Sequence, residues 1–173
     1  MVELNEQERI TTTETQNTHS QYLSFVLFEE TYGIDILRIE EIKGWEKVTR
    51  IPNSPRYVKG ILNLRGAIVP IYDLRQRFNL PVIDYSNDTV VIVMRVKEEG
   101  RDRSVGIVVD GVSDVVDARS EDISRTPDFG VSVPIETICG LITTNEHMVI
   151  LLDVDKLLVS KPVALVEAAN DAT

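Results

Sequence analysis

The sequence feature that most constrains the fold is an internal repeat. The first copy comprises Gly33, Ile34, Ile36, Ile39 and Ile42, and the second, with identical spacing, comprises Gly106, Ile107, Val109, Val112 and Val115. Further along each half, IVPIYD reads against MVILLD, and a glycine stands thirteen residues before the aspartate, Gly60 before Asp73 and Gly140 before Asp153. A spacing that recurs within one chain indicates two copies of one structural unit. We therefore predict two similar halves, at about residues 22–84 and 87–160.

The apolar residues of both halves follow a strand-like pattern. Runs rich in Val and Ile are bounded by Gly, Pro, Asn or Asp, which is typical of β-strands. These runs are YLSFVLF, YGIDILRI, GAIVPIYDL, TVVIVMRV, SVGIVVDGV and MVILLDV. Helical pattern is confined to residues 73–78 and 153–158, with a weak capping sequence, SEDI, at Ser120. The sequence predicts an all-β fold with short helices.

Each half is short for an independent domain, because a domain of about 60 residues buries only about 60% of the surface that its unfolded chain exposes. We therefore expect two small barrels packed around a shared hydrophobic core, since closure of a sheet removes its edges. Gly33 and Gly106 are expected at bends or bulges of their strands. The predicted order is a disordered tail over residues 1–20, a first barrel over 21–86, a second barrel over 87–160 and a C-terminal tail over 161–173.

Composition and charge limit the classes of partner. The chain is 43% hydrophobic and 27% charged, as globular proteins are, and its net charge is -10. Such a charge repels phosphate backbones and anionic lipid surfaces. The N-terminal residues lack the pattern of a signal peptide, and no stretch of eighteen apolar residues occurs. We expect a cytoplasmic protein that neither binds nucleic acid nor inserts into the membrane.

Residue types that support catalysis are scarce. The two histidines lie in the predicted tail, His19, and in a predicted hairpin turn, His147. The single cysteine, Cys139, is expected as a buried, inert thiol without metal-ligand spacing. Glu40 and Glu41 are adjacent on a predicted strand, so their side chains should point to opposite faces rather than converge on one substrate atom. Phosphate-binding glycine motifs are missing. The sequence predicts no catalytic residue, no cofactor and no metal site.

One segment, KGILNLRGAIVPIYDLRQRF, carries a candidate recognition residue. Asn63 and Gly66 flank Arg65 in the connection between two apolar strands, and such connections hold recognition groups on a rigid scaffold. Arginine presents five donors in a fixed fork and is enriched at interface hot spots. Two interpretations remain open: Arg65 binds a partner, or it makes an intramolecular salt bridge or turn hydrogen bond.

The same segment, together with YGIDILRIEEIKG, NDTVVIVMRV and VGIVVDGVSDVV in this order, resembles the CheW-like domain family of chemotaxis coupling proteins. The resemblance covers about residues 21–160. It implies a fold of two SH3-like five-stranded barrels. It also implies a non-enzymatic adaptor that couples the cytoplasmic tip of methyl-accepting chemoreceptors to the regulatory domain of a CheA-type histidine kinase, recruited to membrane-associated receptor arrays.

The resemblance further implies three sets of contact residues. The receptor groove between the barrels would be lined by Ile39, Glu41, Gly60, Arg65, Gly66 and Val90. The kinase-binding face would include Ile36 and Ile42, and Phe129 would help to close rings of adaptor and kinase.

Two further expectations concern the extent of the function. A chain of 173 residues leaves no room for the receiver, phosphotransfer or ATP-binding domains of related proteins, so a stand-alone coupler is expected. The charged stretch KEEGRDRSVG is expected to form a hairpin loop of unassigned role. The alternative from another class is a small-ligand sensor or enzyme that uses a cleft between the barrels, which would require a concave apolar pocket with converging polar groups.

Overall fold

The computed structural model describes residues 18–125 and 133–158. These residues form eleven strands and two α-helices, α1 (Leu74–Arg77) and α2 (Val154–Leu158). The strands are β1 (His19–Leu27), β2 (Glu30–Asp35), β3 (Ile39–Gly44), β4 (Val58–Leu64), β5 (Ala67–Asp73), β6 (Val90–Glu98), β7 (Arg101–Val109), β8 (Gly111–Arg119), β9 (Ile123–Ser124), β10 (Ile138–Thr143) and β11 (Met148–Leu152). Turns of 3₁₀-helix span Ile36–Arg38, Ser120–Asp122 and Ile135–Thr137. The all-β class with short helices is confirmed.

The strands form two sheets. The six-stranded sheet has the order β8-β1-β2-β11-β10-β9, and the five-stranded sheet has the order β3-β6-β7-β5-β4. Neighbours are antiparallel except for β2 with β11 and β5 with β7, which are parallel. The β1 strand begins at His19, two residues inside the predicted tail, while residues 1–17 and 161–173 lie outside the described residues.

The two halves of the repeat exchange their first hairpins. The β1–β2 hairpin of the first half pairs with β8 and β11 of the second, and the β6–β7 hairpin of the second half pairs with β3 and β5 of the first. The predicted boundary at residues 86/87 falls between β5 and β6, and each sheet combines strands from both sides of it.

Each sheet curls without a continuous ladder between its two edges. In the five-stranded sheet, the chain that leaves the edge strand β3 reaches the other edge, where Thr49 and Ile61 of β4 exchange backbone hydrogen bonds of 3.0 and 2.8 Å. In the six-stranded sheet, β9 follows the edge strand β8 and pairs with β10. The units are therefore SH3-like barrels that stay open. The expectation that each sheet closes fully was wrong.

Three apolar clusters fill the fold. One lies inside the five-stranded sheet, around Leu62 and Val93, and one lies inside the six-stranded sheet, around Ile142 and Val149. The largest cluster lies between the sheets and takes side chains from both; its fully buried members include Phe25, Leu27, Ile34, Leu74, Phe78, Ile92, Met94, Ile107 and Leu157. The predicted shared hydrophobic core is thereby confirmed, and it explains why the halves cannot be separated without exposing apolar surface.

Of the bends or bulges expected at Gly33 and Gly106, the bulges are contradicted, because the ladders around both glycines continue in register. Both lie where a parallel neighbour approaches closely. A Cβ at Gly33 would stand 2.9 Å from Leu151 Cδ2, and one at Gly106 would stand 2.5 Å from Ile71 Cδ1. The repeat therefore preserves tight strand packing.

The repeated aspartates begin the two α-helices. Asp73 Oδ1 accepts from the backbone N–H of Gln76 at 3.2 Å, and Asp153 Oδ1 accepts from that of Lys156 at 3.1 Å. Both contacts satisfy a donor that the helix leaves free at its first turn. The two short helices predicted at 73–78 and 153–158 are confirmed. Neither is long and apolar enough to span a membrane.

Candidate functional site

The β3 strand is an exposed edge whose ladder with β6 is interrupted by one register shift. Ile39 lies opposite Met94, and after the shift Ile42 lies opposite Ile92. Directly opposed residues of an antiparallel pair project to the same face, and both Met94 and Ile92 point into the shared core. Without the shift, residues three apart on a strand would face opposite ways. The irregularity at Glu40 therefore places Ile39 and Ile42 on one face.

This face carries a small apolar strip at the rim of the shared core. Ile39 and Val90 are partly buried against the core, whereas Ile42 is 46% exposed. Val90 lies opposite Gly44, so it shares the face of Ile39 and Ile42. The structure thus brings two residues predicted for the receptor groove and one predicted for the kinase together on a single surface.

Arg65 and Gly66 form the two-residue turn between β4 and β5. Their φ angles are +53° and +87°, which is the pattern of a type I′ hairpin turn. The Asn63 side chain accepts from the Gly66 N–H at 2.9 Å and stabilises the turn. The Arg65 side chain is 87% exposed, so a rigid turn holds a solvated guanidinium at the hairpin tip.

The guanidinium of Arg65 reaches Glu41 on β3 across the gap between the two edges of the curled sheet. Arg65 Nη2 lies 3.7 Å from Glu41 Oε2, and the Glu41 side chain is 33% exposed. A pair this long and solvated is worth at most about 1 kcal/mol. Arg65 therefore makes the intramolecular contact that one interpretation predicted. This contact is weak, and the binding of a partner by Arg65 stays a prediction.

Glu40 makes separate contacts from those of Glu41. Its carboxylate accepts from Arg95 Nε at 3.0 Å and from Ser104 Oγ at 2.7 Å, on the neighbouring strands β6 and β7. The two adjacent carboxylates engage different partners, so they do not converge on one substrate atom.

Gly60 is buried within β4. A Cβ there would stand 2.1 Å from the Thr49 carbonyl oxygen, and its φ of +149° also favours glycine. The structure thus places Gly60 beneath the chain segment that joins the sheet edges.

Ile36 and Phe129 are the remaining predicted contact residues. Ile36 is half-buried in the 3₁₀ turn after β2, and Phe129 lies outside the described residues. Leu37, beside Ile36, is 87% exposed and was not singled out from the sequence, because YGIDILRI was interpreted as one strand. The sequence signal for the end of the strand was Asp35, whose side chain accepts from the Leu37 N–H at 2.9 Å and begins the 3₁₀ turn.

Reactive side chains do not gather at this surface. Cys139 is exposed rather than buried, contrary to expectation, and desolvation together with Asp153 raises the pKa of its thiol. It lies at the register shift between Ile138 and Gly140 on β10 and has no partner residue on β11, which is why an apolar stretch did not bury it. His147 lies in the β10–β11 turn, as predicted. Within residues 18–125 and 133–158, no cluster of metal-ligating side chains is present.

Comparisons with known proteins agree with this geometry. The CheW-like domain family matches residues 21–161. A chemotaxis protein CheW of Klebsiella aerogenes is 48% identical over 147 residues, which cover 85% of this chain and 86% of that protein. A chemotaxis protein CheW of Treponema pallidum is 35% identical and covers 82% and 83%. The crystal structure of the scaffolding protein TtCheW from Thermoanaerobacter tengcongensis superposes with a TM-score of 0.74 at 28% identity and covers 83% of this chain and 95% of that one. The chain therefore belongs to the CheW-like domain family, and it is a chemotaxis adaptor rather than an enzyme.

Proposed function

We propose that this adaptor couples the cytoplasmic tip of methyl-accepting chemoreceptors to the regulatory domain of a CheA-type histidine kinase, and that these contacts recruit it to membrane-associated receptor arrays. The observation that carries the proposal is the exposed edge strand β3, with an apolar strip on one face and a solvated arginine at its rim.

The receptor contact uses Ile39 and Val90 for apolar area and Arg65 for a charge-assisted hydrogen bond. Receptor tips are helical, and a helix binds a groove through one apolar face and a few flanking polar groups. Arg65 exchanges its 3.7 Å contact with Glu41 for a carboxylate or carbonyl of the receptor at little cost, because both ends of the pair are solvated. Gly60 and Gly66 contribute by shaping the backbone, since neither offers a side chain.

The kinase contact uses Ile42 and the neighbouring 3₁₀ turn with Ile36. Ile42 is exposed yet lies on the same face as Ile39, so the two partners approach neighbouring parts of one strand. Such an arrangement holds receptor and kinase in a fixed relation. It transmits signals only through contacts that differ between the receptor's two states. Phe129 is assigned, on the family resemblance alone, to the contact that helps to close rings of adaptor and kinase.

The test is a titration of purified adaptor with a receptor-tip fragment and, separately, with the kinase regulatory domain. Arg65→Ala is expected to weaken receptor binding by about 2 kcal/mol or more, the scale of an interface hot spot, and to leave kinase binding nearly unchanged. Arg65→Lys should restore only part of the affinity, because lysine keeps the charge without the planar fork. Ile42→Asp should show the reverse selectivity.

Arg95→Ala is the matched control. Arg95 is also exposed, and its guanidinium contacts Glu40, which lies beside Glu41 on β3, at 2.9 Å. Equal loss of receptor binding in Arg65→Ala and Arg95→Ala would show that only general charge matters. A lower melting temperature with loss of both partners in Arg65→Ala would make the arginine an internal brace and remove it from the receptor site.

A further inference from the structure

A second surface, in the chain segment that follows β3, carries positive charge in a strongly acidic protein. Residues 47–72 contain five of the eighteen Lys and Arg residues and none of the twenty-eight Asp and Glu residues. Three of these cations, Arg50, Arg56 and Lys59, line one cavity of about 340 Å³ between the β3–β4 connection and α1. The remaining lining is polar or apolar, and none of it is acidic.

Among the described residues, the cations of this cavity have no carboxylate partner. Eight Lys and Arg residues elsewhere on the described surface contact a carboxylate. In contrast, Arg50, Arg56 and Lys59 form no ion pair with any described residue. Lys59 is held in place, because its Nζ lies 3.1 Å from the Gln76 amide oxygen in the orientation that satisfies that amide. Unpaired positive charges concentrated in one concavity create a local potential that attracts anions.

A less polar cavity of about 540 Å³ adjoins the basic one. The two share Arg56 and Gln76. The second is completed by Tyr57, Asn79, Leu80 and Val82, of which Val82 is 71% exposed. Arg77 stacks its guanidinium on the Tyr57 ring at 5.3 Å, and its Nε is buried without a hydrogen-bond partner. A basic cavity and a mixed cavity with apolar lining residues therefore lie side by side.

We infer that these two cavities form a docking site for an acidic segment of a partner protein, with carboxylates over Arg50, Arg56 and Lys59 and an apolar side chain against Tyr57, Leu80 and Val82. Charge complementarity supports this occupant. An extended polyanion, such as nucleic acid or an anionic membrane, would also meet the acidic remainder of the protein, whereas a short segment contacts only the basic surface. No residue lining the site belongs to the proposed receptor or kinase contacts.

The probe is a capped, fluorescently labelled peptide with four glutamates around one leucine, titrated by fluorescence anisotropy at about 0.1 M salt. The same peptide with glutamine in place of glutamate is expected to bind about tenfold more weakly or worse, since it lacks the charge that the cations attract. The double substitution Arg56→Gln and Lys59→Gln should reduce affinity for the glutamate peptide by about tenfold as well. Replacing the peptide's leucine by alanine should weaken binding by a smaller factor.

The matched control is the double substitution Lys97→Gln and Arg101→Gln, which removes two other exposed cations without ion pairs. It should change the affinity by less than about twofold, because interactions between exposed charges beyond about 10 Å are screened. An equal loss in both double variants, or equal binding of the glutamine peptide, would overturn the inference. Inorganic phosphate that perturbs the Arg56 and Lys59 region while the peptide does not bind would overturn it too, in favour of a small-anion site. Neither receptor nor kinase takes part, so failure here leaves the proposed function standing.

Discussion

The ion pair between Arg75 and Asp110 is expected to be the most stabilising charge interaction in the described fold. Arg75 Nε and Nη2 each donate to a different Asp110 carboxylate oxygen at 2.6 Å, and Nη1 donates to the Pro81 carbonyl at 2.8 Å. Asp110 also accepts from the Phe28 N–H at 2.7 Å. The guanidinium lies over the Phe28 ring at 5.5 Å, and the Arg75 residue is only 8% exposed. This pair therefore joins α1 to the β1–β2 hairpin turn and to the connection between β7 and β8.

Arg75→Met preserves most of the side-chain volume and removes the charge. It leaves Asp110 with one backbone donor and the Pro81 carbonyl with no donor from Arg75. Breaking a buried ion pair costs about 3 to 5 kcal/mol, and the Asp110 side chain is still 19% exposed, so we expect about 3 kcal/mol. In a chain of this size the melting temperature should fall by roughly 6 to 12 °C. Urea denaturation followed by circular dichroism measures the loss.

Arg38→Met is the internal comparison. Arg38 also makes two hydrogen bonds to one carboxylate, at 3.1 and 2.6 Å to Asp155, but both side chains are more exposed, at 29% and 27%. We expect a cost of about 1 kcal/mol, as for solvated pairs. Adding Asp110→Asn to the Arg75→Met variant should recover part of the lost stability, because no uncompensated carboxylate then remains. A cost below about 1 kcal/mol for Arg75→Met, or an equal cost for both arginines, would refute the importance of burial.

Two more predictions test the packing of the fold. Gly60→Ala should destabilise the protein by about 2 kcal/mol or more, because the new Cβ would overlap the Thr49 carbonyl; chemical denaturation measures this, and a wild-type midpoint would contradict it. Burial, aided by Glu30, raises the pKa of Tyr32 to about 12. Between pH 10 and 12 the unfolded chain has then lost a proton that the folded chain retains, so stability should fall by about 1.4 kcal/mol per pH unit from this group. In the Tyr32→Phe variant, the free energy of unfolding should fall less steeply with pH between pH 10 and 12. An unchanged dependence on pH would exclude Tyr32 as its source.

Much of the fold could be predicted because its signals are local. Strand runs are apolar with β-branched residues, and Asp73 and Asp153 cap helices only a few residues away. The exposure of Arg65 also followed from local reasoning, since a charge next to Gly66 at a strand connection belongs to a turn.

The exchange of hairpins could not be predicted, because the repeat has the same spacing whichever half each hairpin joins. What decides it is contact between residues far apart in the chain, such as Gly33 with Leu151 and Gly106 with Ile71. The register shift in β3 could not be predicted for a related reason. It depends on pairing with β6, and it places Ile39 and Ile42 on a single face although their spacing along a regular strand predicts opposite faces.

The charges of the two ion pairs help to specify the exchanged arrangement. Arg75 and Asp155 occupy equivalent positions of the repeat, each two residues after a capping aspartate, yet their charges are opposite. Each contacts a residue just after the hairpin that comes from the other half. Arg75 contacts Asp110 after the β6–β7 hairpin, and Asp155 contacts Arg38 after the β1–β2 hairpin. If each hairpin packed within its own half instead, Arg38 would approach Arg75 and Asp110 would approach Asp155. Like charges in partly buried positions repel, so the reversal disfavours the competing topology as well as stabilising the observed one.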